Sequence, residues 1–240
     1  FLDARYPALE RVYVHNDAYR TTNNVHSLAL AASVMRFDHD ILLIECDLVF
    51  EPAVLARLVK SPHPNVALVD RWRTGLDGTV VTVEDGIVTS VVPPHLQGLS
   101  FDLTSAFKTL NMYKFDASFF ETIFKPLLEV YAKSIDQNCY YELILGMLIY
   151  MRSARVHAEI LDGERWAEID DANDLEHTDA KRPAGLQRRV DRLEVRRVGA
   201  LGALGVHALG RPEDLGELIH EVHQRETVVA ASALAAFRRR

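Results

Sequence analysis

The 240-residue sequence contains little cysteine and no long apolar run, and both absences restrict what the chain can be. Its two cysteines, Cys46 and Cys139, supply neither a disulfide framework nor a CxxC metal pair, so both are interpreted as small core residues. No apolar run reaches the ~18 to 20 residues that cross a bilayer, and the N-terminus lacks the parts of a signal peptide. The sequence therefore predicts a cytoplasmic protein without a membrane span.

Basic residues are also scarce over most of the chain. Residues 1–180 hold 15 Lys and Arg against 27 Asp and Glu, a net charge of −12, whereas residues 181–240 hold 12 against 7, a net charge of +5. Nucleic acid is not expected as a partner, because it requires a basic patch, whereas an acidic domain is compatible with a divalent-cation site. The change in composition predicts one domain over 1–180 and, over 181–240, a basic Ala/Leu/Arg-rich tail, helical or irregular, or the start of a second domain.

Strand and helix patterns alternate in the first part of the chain. Strand patterns occur at 11–16, 41–50, 65–72, 107–115 and 155–163, and helical patterns at 24–35, 51–60, 116–134 and 140–151. Residues 79–93 have the pattern of a hairpin that turns at Asp85-Gly86. The continuous apolar run at 41–50 is typical of a strand buried in a parallel sheet. This alternation predicts a mixed sheet flanked by helices.

Acidic residues at the ends of strand patterns form a candidate metal site. The run "ILLIECDLVF" places Asp47 at the strand end where α/β proteins bind ligands, and Glu45 is interpreted as scaffold. The stretch "WAEIDDAND" supplies Glu168 and Asp170, which lie two residues apart and project to one face if extended. Oxygen ligands at this spacing suit Mg²⁺. From spacing alone, the alternative is that these acids form turns or helix caps.

Several segments together resemble a known family. They are "DAYRTTNNVHSLALA", "ILLIECDLVFEPAVL", "FKTLNMYKF", "NCYYELILGMLIYM" and "LDGERWAEIDDANDL". In that order, residues 8–178 resemble the nucleotidyltransferase superfamily, and most closely its CTP-dependent phosphocholine and phosphonate cytidylyltransferases, some of which are fused to an aminotransferase. The resemblance implies a nucleotide-diphospho-sugar transferase fold, which is a Rossmann-like mixed, mostly parallel sheet with helices on both faces.

The resemblance also implies roles for individual residues. The implied metal ligands are Asp47, Glu168 and Asp170, the implied nucleotide contacts are Asn23, Asn24 and Ser27, and the implied acceptor side comprises Lys108, Asn111, Tyr140, Tyr141 and Glu142. Asp47 and Lys108 are the implied catalytic residues, since a lysine can meet a phosphate or phosphonate. Aromatic faces and a carboxylate suit a cationic headgroup. The alternatives are a surface lysine at position 108 and an ordinary helix face at 140–142.

The implied reaction transfers a cytidylyl group from CTP to a small phosphorylated or phosphonate acceptor, with release of pyrophosphate and with Mg²⁺ as cofactor. Two other interpretations stay open. One is a metal-dependent glycosyltransferase on the same scaffold, in which Glu45-Cys46-Asp47 stands where such enzymes have Asp-x-Asp. The other is a non-catalytic member of the family that serves as an interaction module.

One part of the family pattern is not found. The family begins with a strand and a glycine-rich loop containing Arg, whose backbone N–H groups bind the triphosphate. The chain begins at Phe1, and none of its 12 glycines forms such a loop near the start. We therefore expect the first strand and its loop to be absent, and we assign the function to the parent protein. Fusion of the parent to a second enzymatic domain is an open alternative.

Overall fold

The structure, a computed structural model, describes residues 12–98 and 100–169 and the backbone of 204–207. The helices are α1 (Asn24–Ala32), α2 (Pro52–Lys60), α3 (Ala117–Phe119), α4 (Lys125–Val130) and α5 (Tyr141–Tyr150), with π-helical turns at Phe120–Phe124 and Tyr131–Ile135 and 3₁₀ turns at Pro94–Leu96 and Leu103–Ser105. The strands are β1 (Ile41–Glu45), β2 (Leu48–Phe50), β3 (Val66–Arg71), β4 (Val80–Glu84), β5 (Ile87–Val92), β6 (Phe107–Phe115), β7 (His157–Ile160), β8 (Trp166–Glu168) and β9 (Leu204–His207).

The strands form two sheets. Seven of them make a large sheet in the order β3-β7-β5-β4-β6-β1-β9, with a further pairing of β3 with β6, and β2 pairs with β8 in a small sheet. The predicted mixed sheet is confirmed, with β3 and β7 pairing in parallel. The expected predominance of parallel pairing is not seen among the described strands, because the long strand β6 runs antiparallel to β1, β3 and β4.

Strand β1 lies between two hydrophobic cores. Ile41 and Leu43 pack in a core with α1 and α5, whereas Leu42 and Ile44 pack in a second core with α2. Successive side chains of a strand point to opposite faces of the sheet, so helices cover both faces, as predicted. The apolar run at 41–44 therefore reflects burial on both faces, although its described neighbours β6 and β9 are antiparallel to it.

Three local predictions are wrong. Residues 12–16 form no strand, because the side chain of Asn16 accepts a hydrogen bond from the backbone N–H of Ala18 and begins a turn. The run at 41–50 is not one strand, since a turn at residues 46–47 separates β1 from β2. That turn also exposes Cys46, whereas Cys139 is buried as predicted.

The structure describes four residues of the tail at 181–240. These residues form β9, which pairs antiparallel with β1 at the edge of the large sheet. The rest of the tail lies outside the described residues, and the division at residue 180 stays a prediction. Within the described ranges, no helix combines the length and apolar character needed to cross a membrane. The cytoplasmic location stays a prediction.

The aromatic cluster beneath the large sheet provides a test of the core. Phe120 is fully buried and its ring contacts the rings of Phe37, Phe115 and Phe124. We expect Phe120→Ala to lower the free energy of unfolding by about 3–5 kcal/mol, measured by urea denaturation, because it leaves a cavity. Tyr150→Ala is the control, since Tyr150 is 86% exposed. Equal losses in the two variants would contradict this assignment of the core.

Candidate active site

Two strand ends bring three carboxylates together. Strand β1 ends at Glu45, and Asp47 lies in the turn that follows. Strand β2 then pairs with β8 so that Leu48 is opposite Glu168, and the backbone N–H of Ile169 donates to the carbonyl of Asp47 at 2.9 Å. One oxygen from each of the three carboxylates lies within 4.8 Å of the other two. We call Glu45, Asp47 and Glu168 the carboxylate cluster.

The carboxylate cluster is suited to a divalent metal ion. It offers only oxygen donors, which hard cations such as Mg²⁺, Mn²⁺ and Ca²⁺ prefer. Of the ligands expected from the sequence, Asp47 and Glu168 are brought together, and Asp170 lies outside the described residues. Glu45, interpreted from the sequence as scaffold, contributes the third carboxylate. Its position two residues before Asp47 is the signal that could have identified it.

Three side chains hold the carboxylate of Glu45. Its Oε1 accepts hydrogen bonds from the Tyr141 hydroxyl at 3.0 Å and from Asn24 Nδ2 at 3.3 Å, and its Oε2 accepts from Asn111 Nδ2 at 2.8 Å. Burial raises the pKa of Glu45 well above its usual range, and the neighbouring carboxylate of Glu142 raises it further. A cation beside Glu45 would favour its ionised form and oppose this shift.

A fourth carboxylate, that of Glu142, lies next to the cluster. Its side chain is 3% exposed and its Oε2 accepts a hydrogen bond from Asn24 Nδ2 at 3.2 Å. Asn24 therefore bridges Glu142 and Glu45, while its Oδ1 accepts from the backbone N–H of Tyr141 at 2.9 Å. Burial raises the pKa of Glu142 as well. Carboxylates whose pKa values are shifted by burial and by each other are typical of functional sites.

Lys108 supplies a positive charge to the site. Its Nζ lies 3.0 Å from Oε2 of Glu168, and its side chain is only 1% exposed, so it is not the surface lysine of the alternative interpretation. The ammonium group lies against the backbone of Gly78, where an added Cβ would be 2.6 Å from Nζ. Lys108 therefore neutralises one carboxylate of the cluster from a buried position.

The other residues predicted from the sequence divide into two groups. Those that contact the carboxylate cluster or its neighbouring carboxylate are Asn24, Lys108, Asn111, Tyr141 and Glu142. Asn23 instead caps α1 by accepting from the backbone N–H of Asn24 at 2.8 Å, and Ser27 accepts from Asn16 at 3.0 Å. Tyr140 is 42% exposed at the start of α5. Binding roles for Asn23, Ser27 and Tyr140 stay predictions.

Comparison with solved structures identifies the class of fold. The chain is similar to a UDP-glucose pyrophosphorylase complexed with UDP-glucose, with a TM-score of 0.50 and 11% identity over 67% of this chain and 62% of that one. The chain is also similar to a CTP:phosphocholine cytidylyltransferase from Streptococcus pneumoniae, with a TM-score of 0.48 and 17% identity over 68% of this chain and 65% of that one. The fold is that of the nucleotide-diphospho-sugar transferases, as predicted.

A curated relative gives a more specific match. The chain is 35% identical over 189 residues to the CMP-5'-(3-aminopropyl)phosphonate synthase of Streptomyces rubellomurinus (strain ATCC 31215), which is 77% of this chain and 30% of the relative. The chain thus spans less than a third of the relative's length. No protein-family model matches the chain. The resemblance predicted from the sequence is confirmed, because the chain is similar in sequence to a CMP-phosphonate synthase and in fold to a UDP-glucose pyrophosphorylase.

Substitution of Gly78 tests the buried ion pair. Gly78 has φ 86° and contacts Lys108 Nζ, whereas Gly75 has φ 92° and open space around an added Cβ. Alanine at either position is strained by about 1–2 kcal/mol. Gly78→Ala must also displace the ammonium group of Lys108, which lies 3.0 Å from Oε2 of Glu168. We therefore expect it to lower the free energy of unfolding by about 1–3 kcal/mol more than Gly75→Ala does. Equal losses in urea denaturation would show that the lysine is not held there.

Proposed function

We propose that this chain is the nucleotidyltransferase part of an enzyme that transfers a cytidylyl group from CTP to a small phosphonate or phosphorylated acceptor, with Mg²⁺ as cofactor. The supporting observation is a cluster of three carboxylates beside a buried lysine, in a chain 35% identical to a CMP-5'-(3-aminopropyl)phosphonate synthase. Because the chain spans 30% of that relative, we assign the activity to the complete protein that contains it. An aminoalkylphosphonate is the first acceptor to test.

The proposed reaction joins two anions. An oxygen of the acceptor phosphonate attacks the α-phosphorus of CTP, a new P–O bond forms, and the bond from the α-phosphorus to the bridging oxygen breaks to release pyrophosphate. The acceptor oxygen is already ionised at neutral pH, so the reaction needs no strong general base. A bound divalent cation would supply screening of the repulsion between the anions and stabilise charge on the phosphoryl oxygens.

The residues at the site have distinct parts in this proposal. Glu45, Asp47 and Glu168 would hold the cation, and Asp170 is kept as a further proposed ligand. Lys108 would place a second positive charge beside the phosphoryl groups from its position next to Glu168. Hydrogen bonds from neighbouring side chains to ligating carboxylates fix their orientation, which is the part of Asn24 and Tyr141. Asn23 and Ser27 stay proposed nucleotide contacts, and Tyr140 and Glu142 proposed acceptor contacts.

A metal-dependent glycosyltransferase is the second candidate. The observation that favours it is that a carboxylate oxygen of Glu45 lies within 4.8 Å of one of Asp47. A metal-binding Asp-x-Asp pair needs its two carboxylates close together in the same way. The two candidates differ in their products. A nucleotidyltransferase releases pyrophosphate from a nucleoside triphosphate, whereas a glycosyltransferase releases a nucleoside diphosphate from a nucleotide sugar. The similarity to a phosphonate synthase favours the first.

Substitution of Asp47 tests the proposed activity. We expect Asp47→Asn, made in the protein from the complete reading frame, to lower pyrophosphate release from CTP and 3-aminopropylphosphonate by more than about 100-fold. Loss of a residue that only orients a metal ligand already costs about 10- to 100-fold, and Asp47 is a proposed ligand itself. Asparagine preserves the shape of the side chain and removes its charge. The matched control is Asp38→Asn, because Asp38 is an exposed aspartate paired with Arg36 at 2.7 Å.

Three outcomes of this assay would overturn the proposal. Unchanged activity in Asp47→Asn would show that the reaction does not need the carboxylate of Asp47. Release of a nucleoside diphosphate from a nucleotide sugar, without pyrophosphate release from any triphosphate, would identify a glycosyltransferase. Failure of the wild-type protein to release either product across a panel of nucleotides and acceptors would identify a non-catalytic member.

A further inference from the structure

Asn111 has an unusual backbone conformation for a residue inside a strand. Its φ of 54° lies in the left-handed region, which few residues with side chains adopt and which Asn tolerates better than most. Before this residue, β6 pairs with β4 at Phe107 and Lys108, and after it β6 pairs with β1 from Met112 to Phe115. Asn111 therefore lies where β6 changes from one partner strand to another, beside the end of β1.

The amide group of Asn111 contacts carboxylates from both sheets. Its Nδ2 donates to Oε2 of Glu45 at 2.8 Å and to Oε1 of Glu168 at 3.3 Å. Glu45 is the last residue of β1 in the large sheet, whereas Glu168 is the last residue of β8 in the small sheet. Asn111 is 7% exposed, so water competes little for these hydrogen bonds. One amide thus joins two members of the carboxylate cluster that the backbone does not connect directly.

The orientation of this amide is fixed. Its Oδ1 accepts a hydrogen bond at 2.9 Å from the hydroxyl of the fully buried Thr109, whose single hydrogen is shared with the carbonyl oxygen of Thr79 at 3.1 Å. Glu168 is ion-paired with Lys108, and an ionised carboxylate only accepts hydrogen bonds, so the reverse orientation would place Oδ1 of Asn111 against the acceptor Oε1 of Glu168. Both hydrogens of Nδ2 and the carbonyl oxygen are therefore engaged within the protein. No donor of the amide is left for an acceptor molecule.

We infer that Asn111 is a positioning residue that holds Glu45 and Glu168 at a separation suited to a divalent cation, and that it is not a ligand of the acceptor. The inference rests on the metal site of the proposed function. Two carboxylates at the ends of different strands repel each other, and an amide placed between them attracts both. One oxygen of Glu45 lies within 4.8 Å of one oxygen of Glu168, so the cation binds to a preformed pair instead of having to bring the two together.

Asn111→Gly removes the side-chain amide without adding backbone strain, because glycine readily adopts a φ of 54°. The measurement is isothermal titration calorimetry with Mn²⁺ on the protein from the complete reading frame, without nucleotide or acceptor. We expect the Kd for Mn²⁺ to rise by about 10- to 100-fold, the usual cost of losing a residue that orients metal ligands. Thr109→Val, which removes the hydroxyl that orients the amide, should raise Kd by a smaller factor.

Asn65→Ala is the matched control. Asn65 is another buried asparagine, 8% exposed, and its Oδ1 accepts from the backbone N–H of Asp116 at 3.1 Å, away from the cluster. This variant should keep the wild-type Kd for Mn²⁺ even where it lowers the melting temperature. A purely structural role for Asn111 would lower the melting temperature in the same way and leave Kd unchanged.

The inference is wrong if Asn111→Gly binds Mn²⁺ with wild-type affinity, or if the wild-type protein binds no Mn²⁺. It is also wrong if the variant raises KM for the acceptor while Kd for Mn²⁺ stays the same, since Asn111 would then belong to the acceptor site. If Asn111→Gly does not fold, an unchanged Kd in Thr109→Val overturns it. Failure of the proposed function can be distinguished from failure of this inference. If the protein releases no pyrophosphate, the Mn²⁺ affinities of the wild type and the variants can still be compared.

Discussion

The crowding of carboxylates at the end of β1 is the constraint on which the rest of the site depends. The connected acidic side chains are Glu45, Asp47, Glu142 and Glu168. Burying such groups costs free energy unless their charge is neutralised or hydrogen bonded. Lys108 neutralises part of this charge, and two asparagine amides and a tyrosine hydroxyl supply hydrogen bonds. In our proposal a divalent cation completes the neutralisation, so the stability of the site and its chemistry have the same physical origin.

The acidic side chains are positioned by strands that are themselves fixed by packing outside the site. Strand β1 is fixed by hydrophobic cores on both of its faces, so its end is rigid where Glu45 emerges. The small sheet of β2 and β8 brings Glu168 beside the turn that carries Asp47. Strand β6 contributes Lys108, which pairs with β4, and Asn111, which lies where β6 changes its partner from β4 to β1. The site therefore requires the two sheets to be formed together.

Sequence patterns could predict the positions of acids at strand ends, but not the contacts between them. Asp47 and Glu168 were identifiable because Asp47 follows a buried strand pattern and Glu168 lies in a segment that resembles the family. The turn after Glu45 had a weak signal, since Asp47, a residue common in turns, stands inside an otherwise continuous apolar strand pattern. The left-handed backbone of Asn111 likewise has no local signal, because it depends on which strands pair with β6. The apolar run at 41–44 reports burial on two faces and carries no information about the direction of neighbouring strands.

Crystals of the complete protein grown with Mn²⁺, and an anomalous difference map at the manganese edge, give the most direct test of the proposed metal centre. We predict one manganese peak in contact with carboxylate oxygens of Glu45, Asp47 and Glu168, with Lys108 still buried beside Glu168. A peak that contacts other residues, or a carboxylate cluster without a peak at saturating Mn²⁺, would contradict the assignment of these three residues as the metal site.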